Sequence, residues 1–239
     1  MTGTVALTLF GYPRLEINGK TGKLSEKALF LLAYLVLNRE RGPMLRKLVA
    51  FHLWPDSTES EACSNLRRAL YEVTAAAEGC TIVCADSKWI FWSSDAAATV
   101  DVIEFERLSA DASQCAAAIR LYRADLLESL ECEWIALHRE RLREQQISNL
   151  RAAVESCKRQ HDPMGAMRVL TNLAALDPWR EDIVRDMLIL RFSCGDRAGA
   201  LRDYALFEKR LQSELGVEPM PETLQCRSMI VRGEVPLNL

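Results

Sequence analysis

Short runs of alternating apolar and polar residues at the start of the chain predict a small β-sheet. Residues 4–9 and 14–17 alternate in this way, and alternation places the apolar side chains on one face of a strand. Asn18-Gly19, a dipeptide typical of tight hairpin turns, separates the second run from a further extended stretch over 20–23. We therefore expect three short extended segments before the first helix.

A helical pattern follows this sheet. The spacing of apolar residues predicts three helices, over residues 28–38, 44–54 and 59–77. Ser25 is suited to cap the first helix, and Ser57 or Thr58 the third. Two strand-like segments, 81–84 and 89–92, form a predicted hairpin. The order of strands, three helices and hairpin is that of a winged helix-turn-helix preceded by a small sheet, and we place it in a first domain over residues 1–97.

From residue 102 onward the pattern is helical. Helices are predicted over residues 102–109, 112–129, 132–160, 163–176, 179–193, 196–214 and 221–231. Residues 162–176 align with 196–210 at a shift of 34 positions, with identities at Asp162/Asp196, Gly165/Gly199, Ala166/Ala200 and Arg168/Arg202. A 34-residue period in paired helices, with a small residue where two helices approach closely, is typical of tetratricopeptide repeats. We therefore predict an α+β winged helix-turn-helix followed by an all-α tetratricopeptide-like domain over residues 98–239.

The composition is that of a soluble globular protein, with 49% hydrophobic and 26% charged residues among 239. No apolar run is long enough to span a membrane, and the N-terminus does not resemble a secretory signal, so we expect a cytoplasmic location. The net charge is −3; residues 1–100 carry 11 basic and 10 acidic side chains, and the remainder carries 19 and 23. Any case for nucleic-acid binding must therefore depend on the local placement of charge.

The sequence offers no set of residues for catalysis, a metal or a cofactor. The closest of its eight cysteines are Cys80 and Cys84, and none of the three histidines lies near them in the sequence. We interpret the cysteines as buried or incidental thiols, with redox sensing or a metal as the alternative. A glycine-rich phosphate loop and a nucleophile–base set are also missing from the sequence. We predict a protein that is not an enzyme and needs no cofactor.

Four stretches carry a family resemblance: LTLFGYPRLEING, LWPDSTESEACSNLRRAL, VDVIEFERL and ELGVEPMPET. Together they resemble the SARP-type bacterial regulators, which join a response-regulator-type winged helix to a bacterial transcriptional activator domain of tetratricopeptide-like helices. The resemblance spans nearly the whole chain, and the last stretch is its most specific piece. It implies a transcriptional regulator, an activator, whose helical domain serves activation, self-association and contact with RNA polymerase.

The helix predicted over 59–77 would be the one that enters the major groove of DNA. The candidate base-reading residues share its polar face and are Ser64, Asn65, Arg67, Arg68 and Tyr71. Arginine can donate two hydrogen bonds to guanine, and asparagine can pair with adenine. The candidate phosphate contacts lie at helix starts or at the hairpin tip and are Lys27, Arg46, Lys47 and Lys88.

We expect double-stranded DNA as the partner, bound by a homodimer on direct-repeat or paired half-sites, with RNA polymerase as a second partner. An unidentified small-molecule effector could act on the helical domain, and no membrane is involved. The alternative is a repeat-domain adaptor whose winged helix binds protein. The near-neutral N-terminal part and the acidic Glu72 favour that alternative. DNA affinity that falls steeply with salt would distinguish the regulator from the adaptor.

Overall fold

The computed structural model describes residues 4–77, 79–93, 98–130 and 132–234. Contacts between residues divide the chain into two units, Met1–Glu144 and Gln145–Leu239. This division lies further along the chain than the domain boundary between residues 97 and 98 that the sequence suggested. The strand pairing in the first unit gives the physical reason.

Within the described residues, the first unit contains two small sheets. Their strands are β1 (Val5–Thr8), β2 (Arg14–Ile17), β3 (Lys20–Thr21), β4 (Met44–Leu45), β5 (Val83–Ala85), β6 (Trp89–Trp92) and β7 (Ala98–Val100). One sheet has the order β3-β2-β1-β7, in which β1 pairs with β2 antiparallel and with β7 parallel. The other has the order β4-β6-β5 and is antiparallel throughout.

The helices that begin and end in the first unit are α1 (Glu26–Leu37), α2 (Arg46–Leu53), α3 (Glu59–Ala76), α4 (Asp101–Ser109) and α5 (Cys115–Leu121). The predicted cap of α1 is confirmed, because the Ser25 side chain accepts a hydrogen bond from the backbone N–H of Ala28. Of the two candidates for α3, Thr58 is the cap, and it forms a reciprocal capping box with Glu61. The apolar run that predicted α1 is buried along nearly its whole length.

Strand β7 and the start of α4 join the N-terminal sheet, which the sequence pattern did not predict. The Asp101 carboxylate accepts hydrogen bonds from the backbone N–H groups of Leu9 at 2.9 Å and Phe10 at 3.0 Å, just past the end of β1. It also accepts from the Val102 N–H at 2.8 Å. Burial raises the pKa of Asp101, while these hydrogen bonds oppose the shift. The segment after the β5–β6 hairpin therefore belongs to the first unit.

The helix predicted over 112–129 is wrong in its second half. A short 3-10 helix (Ala112–Gln114) leads into α5, which ends at Leu121. Beyond it, the backbone pairs with the chain that follows β1: the Gly11 N–H donates to the carbonyl of Asp125 at 2.8 Å, and the Leu127 N–H donates to that of Leu9 at 2.9 Å. Backbone groups used in this way cannot also form helical hydrogen bonds.

Three aromatic rings form the core beneath this junction. Phe10 lies 5.3 Å from Phe105 and 4.7 Å from Tyr122, measured between ring centres. All three side chains are buried. The phenolic group of Tyr122 donates to Asp125 at 2.6 Å, which satisfies its one polar atom. The junction of sheet, α4 and α5 therefore has a well-packed apolar centre.

The second unit is helical in its described residues. Helix α6 (Glu133–Arg159) begins in the first unit and continues into the second, which also contains α7 (Pro163–Leu176), α8 (Glu181–Ser193), α9 (Arg197–Leu215) and α10 (Pro221–Arg232). The bounds of these helices agree closely with those predicted from the spacing of apolar residues. One buried cluster joins α8, α9 and α10 and consists of Leu188, Ala200, Tyr204, Cys226 and Ile230.

The two segments related by the 34-residue shift begin their helices in the same way. Asp162 caps α7 by accepting from the Gly165 N–H at 2.9 Å, and Asp196 caps α9 by accepting from the Gly199 N–H at 2.8 Å. A Cβ on Gly165 would lie 2.1 Å from the capping carboxylate, and one on Gly199 would lie 2.0 Å from it. The capping carboxylate thus requires both glycines. A Cβ on Gly165 would also lie 3.1 Å from Cys157 Sγ of α6, so this glycine lies close to a neighbouring helix.

The family-like stretch ELGVEPMPET is held by two polar contacts. The buried carboxylate of Glu181 accepts from the Met220 N–H at 2.9 Å. Arg185 donates to the hydroxyl of Thr223 at 3.0 Å, and Thr223 is fully buried. Gly216 ends α9 in the left-handed conformation, with φ of 69°. These contacts fix the turn between α9 and α10.

Replacing Asp101 with alanine should lower the free energy of unfolding by about 2–4 kcal/mol, because two buried backbone N–H groups would lose their acceptor. Asp56→Ala, which removes an exposed carboxylate from a loop, is the matched control and should change it by less than about 0.5 kcal/mol. Urea unfolding followed by tryptophan fluorescence measures both. Equal stabilities of the two variants would contradict the role given to Asp101.

Asp196→Ala should cost about 1 kcal/mol through the lost helix cap. Gly199→Ala should be stabilising by up to about 1 kcal/mol in that background, where the Cβ meets no carboxylate and alanine favours the helix. In the natural chain the same change should be neutral or destabilising. A double-mutant cycle of thermal unfolding measures this coupling, and additive effects of the two changes would contradict it.

Candidate nucleic-acid interface

The outward face of α3 is polar and cationic. Ser64, Arg67, Arg68 and Tyr71 follow one another at helical spacing along this face, and all four are exposed, Tyr71 to 76%. The opposite face is buried through Leu66, Ala69 and Val73. Packing of the apolar face therefore holds four of the five predicted base-reading side chains toward solvent.

The fifth, Asn65, lies between the two faces and is half-buried. It borders a cleft of about 340 Å³ that is also lined by Lys27 and Arg68. The ammonium group of Lys27 donates to the backbone carbonyl of Leu53, at the end of α2, at 3.1 Å. Three residues predicted separately from the sequence, on α1 and α3, thus share one cleft.

Glu72 has a local role that the sequence did not reveal. One oxygen of its carboxylate accepts from the Ser25 N–H at the start of α1, at 3.0 Å. The other lies 3.6 Å from Nε of Arg68, one helical turn earlier. Hydrogen bonding from the side chain and the backbone of Ser25 holds the pKa of Glu72 below its usual range, so this carboxylate is ionised at neutral pH. Its charge faces α1 and Arg68.

The tip of the β5–β6 hairpin is organised by Asp86. Its carboxylate accepts from the N–H groups of Lys88 at 2.7 Å and Trp89 at 2.6 Å, and these bonds hold its pKa below the usual range. Arg46, at the start of α2, donates to the backbone carbonyl of Asp86 at 2.6 Å. Lys88 lies over the Trp89 ring, with its nitrogen 5.0 Å from the ring centre. Arg46 and Lys88 therefore meet at the hairpin tip.

The remaining predicted phosphate contact, Lys47, pairs with Glu59 of α3 at 2.5 Å. Both side chains are exposed. Their pairing raises the pKa of Lys47 and lowers that of Glu59, so it favours the charged form of each. Exposed pairs of this kind are screened by water and salt. Two of the predicted cations, Lys47 and Arg68, thus have acidic partners, whereas Arg67 has no ion pair within the described part of the chain.

Several of these contacts could not be found in the sequence. Glu72 and Ser25, like Lys27 and Leu53, are far apart along the chain and meet only through the packing of α1 against α2 and α3. Asp86 did carry a signal, because aspartate often accepts from backbone groups two or three positions later in a turn. Its charge at the predicted wing tip thus has a structural explanation.

The described ranges contain neither a cluster of metal ligands nor a membrane-spanning helix. No three histidine, cysteine, aspartate or glutamate side chains are grouped there in a way that could hold a metal ion. Among the helices in those ranges, none is both long and apolar enough to cross a lipid bilayer. Cys115 and Cys226 are buried, and burial raises the pKa of the Cys226 thiol.

Comparison with known proteins identifies the class. Residues 93–231, more than half of the chain, match the family described as the bacterial transcriptional activator domain. The chain belongs to this family, and its resemblance to the SARP-type bacterial transcriptional regulators is confirmed. No curated protein matches the chain.

Among solved structures, the chain is similar to Mycobacterium tuberculosis EmbR, determined in complex with a low-affinity phosphopeptide. The TM-score is 0.75 at 19% sequence identity, over 98% of this chain and 66% of that chain. At this identity the likeness shows a common fold. This chain spans about two thirds of the length of the EmbR chain.

Asp86→Ala should lower stability by about 1 kcal/mol, because the turn loses the acceptor of two backbone N–H groups. Asp86→Asn keeps the accepting oxygen and should behave nearly as the natural chain does. Urea unfolding followed by tryptophan fluorescence measures both variants. An equal loss of stability in the two variants would mean that the charge of Asp86, and not its accepting oxygen, stabilises the hairpin.

Proposed function

We propose that this protein is a sequence-specific DNA-binding transcriptional regulator, an activator, that reads the major groove with α3. The observation that carries the proposal is the exposed, cationic outward face of α3, where Arg67 has no acidic partner within the described residues. Family membership supports it independently. Ser64, Asn65, Arg67, Arg68 and Tyr71 would contact base edges or nearby phosphates.

In this proposal α1, α2, α3 and the β5–β6 hairpin form a winged helix-turn-helix. The hairpin tip would be the wing, with Lys88 and the adjoining Arg46 near a phosphate. Lys27 and Lys47 would contact the phosphate backbone of the DNA from the starts of α1 and α2. Phosphate contacts of this kind set the position of the protein on the duplex, while α3 supplies the sequence preference.

The helices from α4 onward would form the regulatory part, for which we keep the boundary at residue 98, close to the start of the family match at residue 93. The identically capped starts of α7 and α9 support a tetratricopeptide-like repeat. Self-association into a homodimer, contact with RNA polymerase and binding of a small effector are the roles proposed for it. A cytoplasmic location follows from this function.

The alternative is an adaptor whose N-terminal domain binds protein. It is favoured by the outer side of α2, where Leu48 is 55% exposed and Phe51 is 62% exposed. It is also favoured by the ion pairs of Lys47 and Arg68, which leave less free positive charge. An adaptor of this kind would bind DNA weakly and without sequence preference.

Selection of bound sequences from a random duplex pool, followed by a salt titration on the enriched duplex, tests the proposal. A regulator should enrich one motif, repeated if a dimer binds, and its affinity should fall steeply with salt. Folded protein that enriches no motif at low salt would overturn the proposal in favour of the adaptor.

Arg67→Ala should weaken binding to the enriched duplex by about 10- to 100-fold, because a base-reading arginine contributes about 1–3 kcal/mol. Arg120→Ala, which removes another exposed arginine from the short helix α5, is the matched control and should leave affinity nearly unchanged. Fluorescence anisotropy on the same labelled duplex measures both variants. A similar small effect from the two would exclude Arg67 from the interface.

A further inference from the structure

The carboxylate of Glu72 links two parts of the candidate interface. One oxygen accepts from the Ser25 N–H at 3.0 Å, and the other faces Nε of Arg68 at 3.6 Å. The Glu72 side chain is 25% exposed, whereas that of Arg68 is 83% exposed. Glu72 is therefore anchored at α1, and Arg68 extends from it into solvent.

The geometry leaves the outer part of Arg68 available. A guanidinium group has five N–H donors in a fixed fork, and only the Nε side faces Glu72. The two terminal nitrogens can still donate together to the acceptor pair of a guanine edge. Arg68 also borders the cleft with Asn65 and Lys27, so it lies near other candidate contacts.

The same carboxylate disfavours a phosphate at this position. A phosphate that approaches Arg68 must compete with Glu72 and is repelled by its charge, and the start of α1 already has an anionic partner. A guanine edge is neutral and does not meet that repulsion. Arg67, on the same face, has no such acidic neighbour within the described residues.

We propose that Glu72 is a positioning residue for Arg68, which it orients for base contact and restrains from indiscriminate phosphate binding. Glu72 thereby lowers the general affinity for DNA and increases the discrimination between sequences. This role rests on the DNA-binding function proposed above, and it gives Arg67 and Arg68 different tasks. Arg67 supplies free positive charge, and Arg68 supplies an oriented pair of donors.

A double-mutant cycle tests this assignment, with Glu72→Gln, Arg68→Ala and both together. Asp56→Asn, which removes one exposed negative charge from the loop before α3, is the charge control. Glutamine keeps an oxygen that can accept from Ser25 but cannot hold Arg68 by charge. Affinity for the enriched duplex and for an unrelated duplex is measured by anisotropy over a range of salt. Thermal unfolding of each variant checks that the fold is retained.

Glu72→Gln should strengthen binding to the unrelated duplex by about two- to fivefold, the size expected for release of an exposed ion pair. The slope of log affinity against log salt should steepen by about one as Arg68 gains a phosphate. The ratio of specific to unrelated affinity should fall by a similar factor. Asp56→Asn should leave this ratio unchanged, and Glu72→Gln should have no effect once Arg68 is alanine.

An equal effect of Glu72→Gln with and without Arg68 would overturn the assignment, because it would show a simple charge effect. The same holds if the ratio is unchanged while the natural chain does discriminate between the two duplexes. If the natural chain binds both duplexes with equal affinity, the proposal of sequence-specific DNA binding is contradicted, and so is the role of Glu72 that rests on it. Measuring the natural chain first distinguishes the two failures.

Discussion

The carboxylate of Asp101 fixes the point at which the N-terminal sheet meets the first helix of the activator domain. Leu9 and Phe10 lie just past the end of β1, and Asp101 accepts from both of their N–H groups. Leaving such groups unsatisfied where they are buried costs about 1–3 kcal/mol each. Strand β7 pairs with β1 immediately before it. The family match, which starts at residue 93, therefore begins inside the first structural unit.

The candidate interface depends on α1, whose buried length packs against α3 and leaves one face of α3 exposed. What distinguishes the site is how its charges are shared. Glu72 serves α1 and Arg68, Asp86 serves the hairpin turn, and Glu59 serves Lys47. The ion pairs of Lys47 and Arg68 reduce the free positive charge of the site, and within the described residues Arg67 keeps an unpaired charge.

Helices of the second unit were predictable from sequence because each has an apolar stripe at helical spacing and a local stop signal. The outward residues of α3 were predictable for the same reason. Strand β7 was not, since three residues carry too little pattern, and the loss of helix after Leu121 depends on pairing with Leu9 and Gly11. Contacts between residues distant in the chain, such as Glu72 with Ser25, likewise require the folded arrangement.

The most direct test of the central claim is site-specific crosslinking from the outward face of α3. A photo-crosslinking residue in place of Ser64, compared with one in place of Arg120, is irradiated on a duplex that the protein binds. The account predicts crosslinks from position 64 to bases in the major groove and none from position 120. Crosslinks from position 120 alone, or none from position 64 while the duplex is bound, would contradict it.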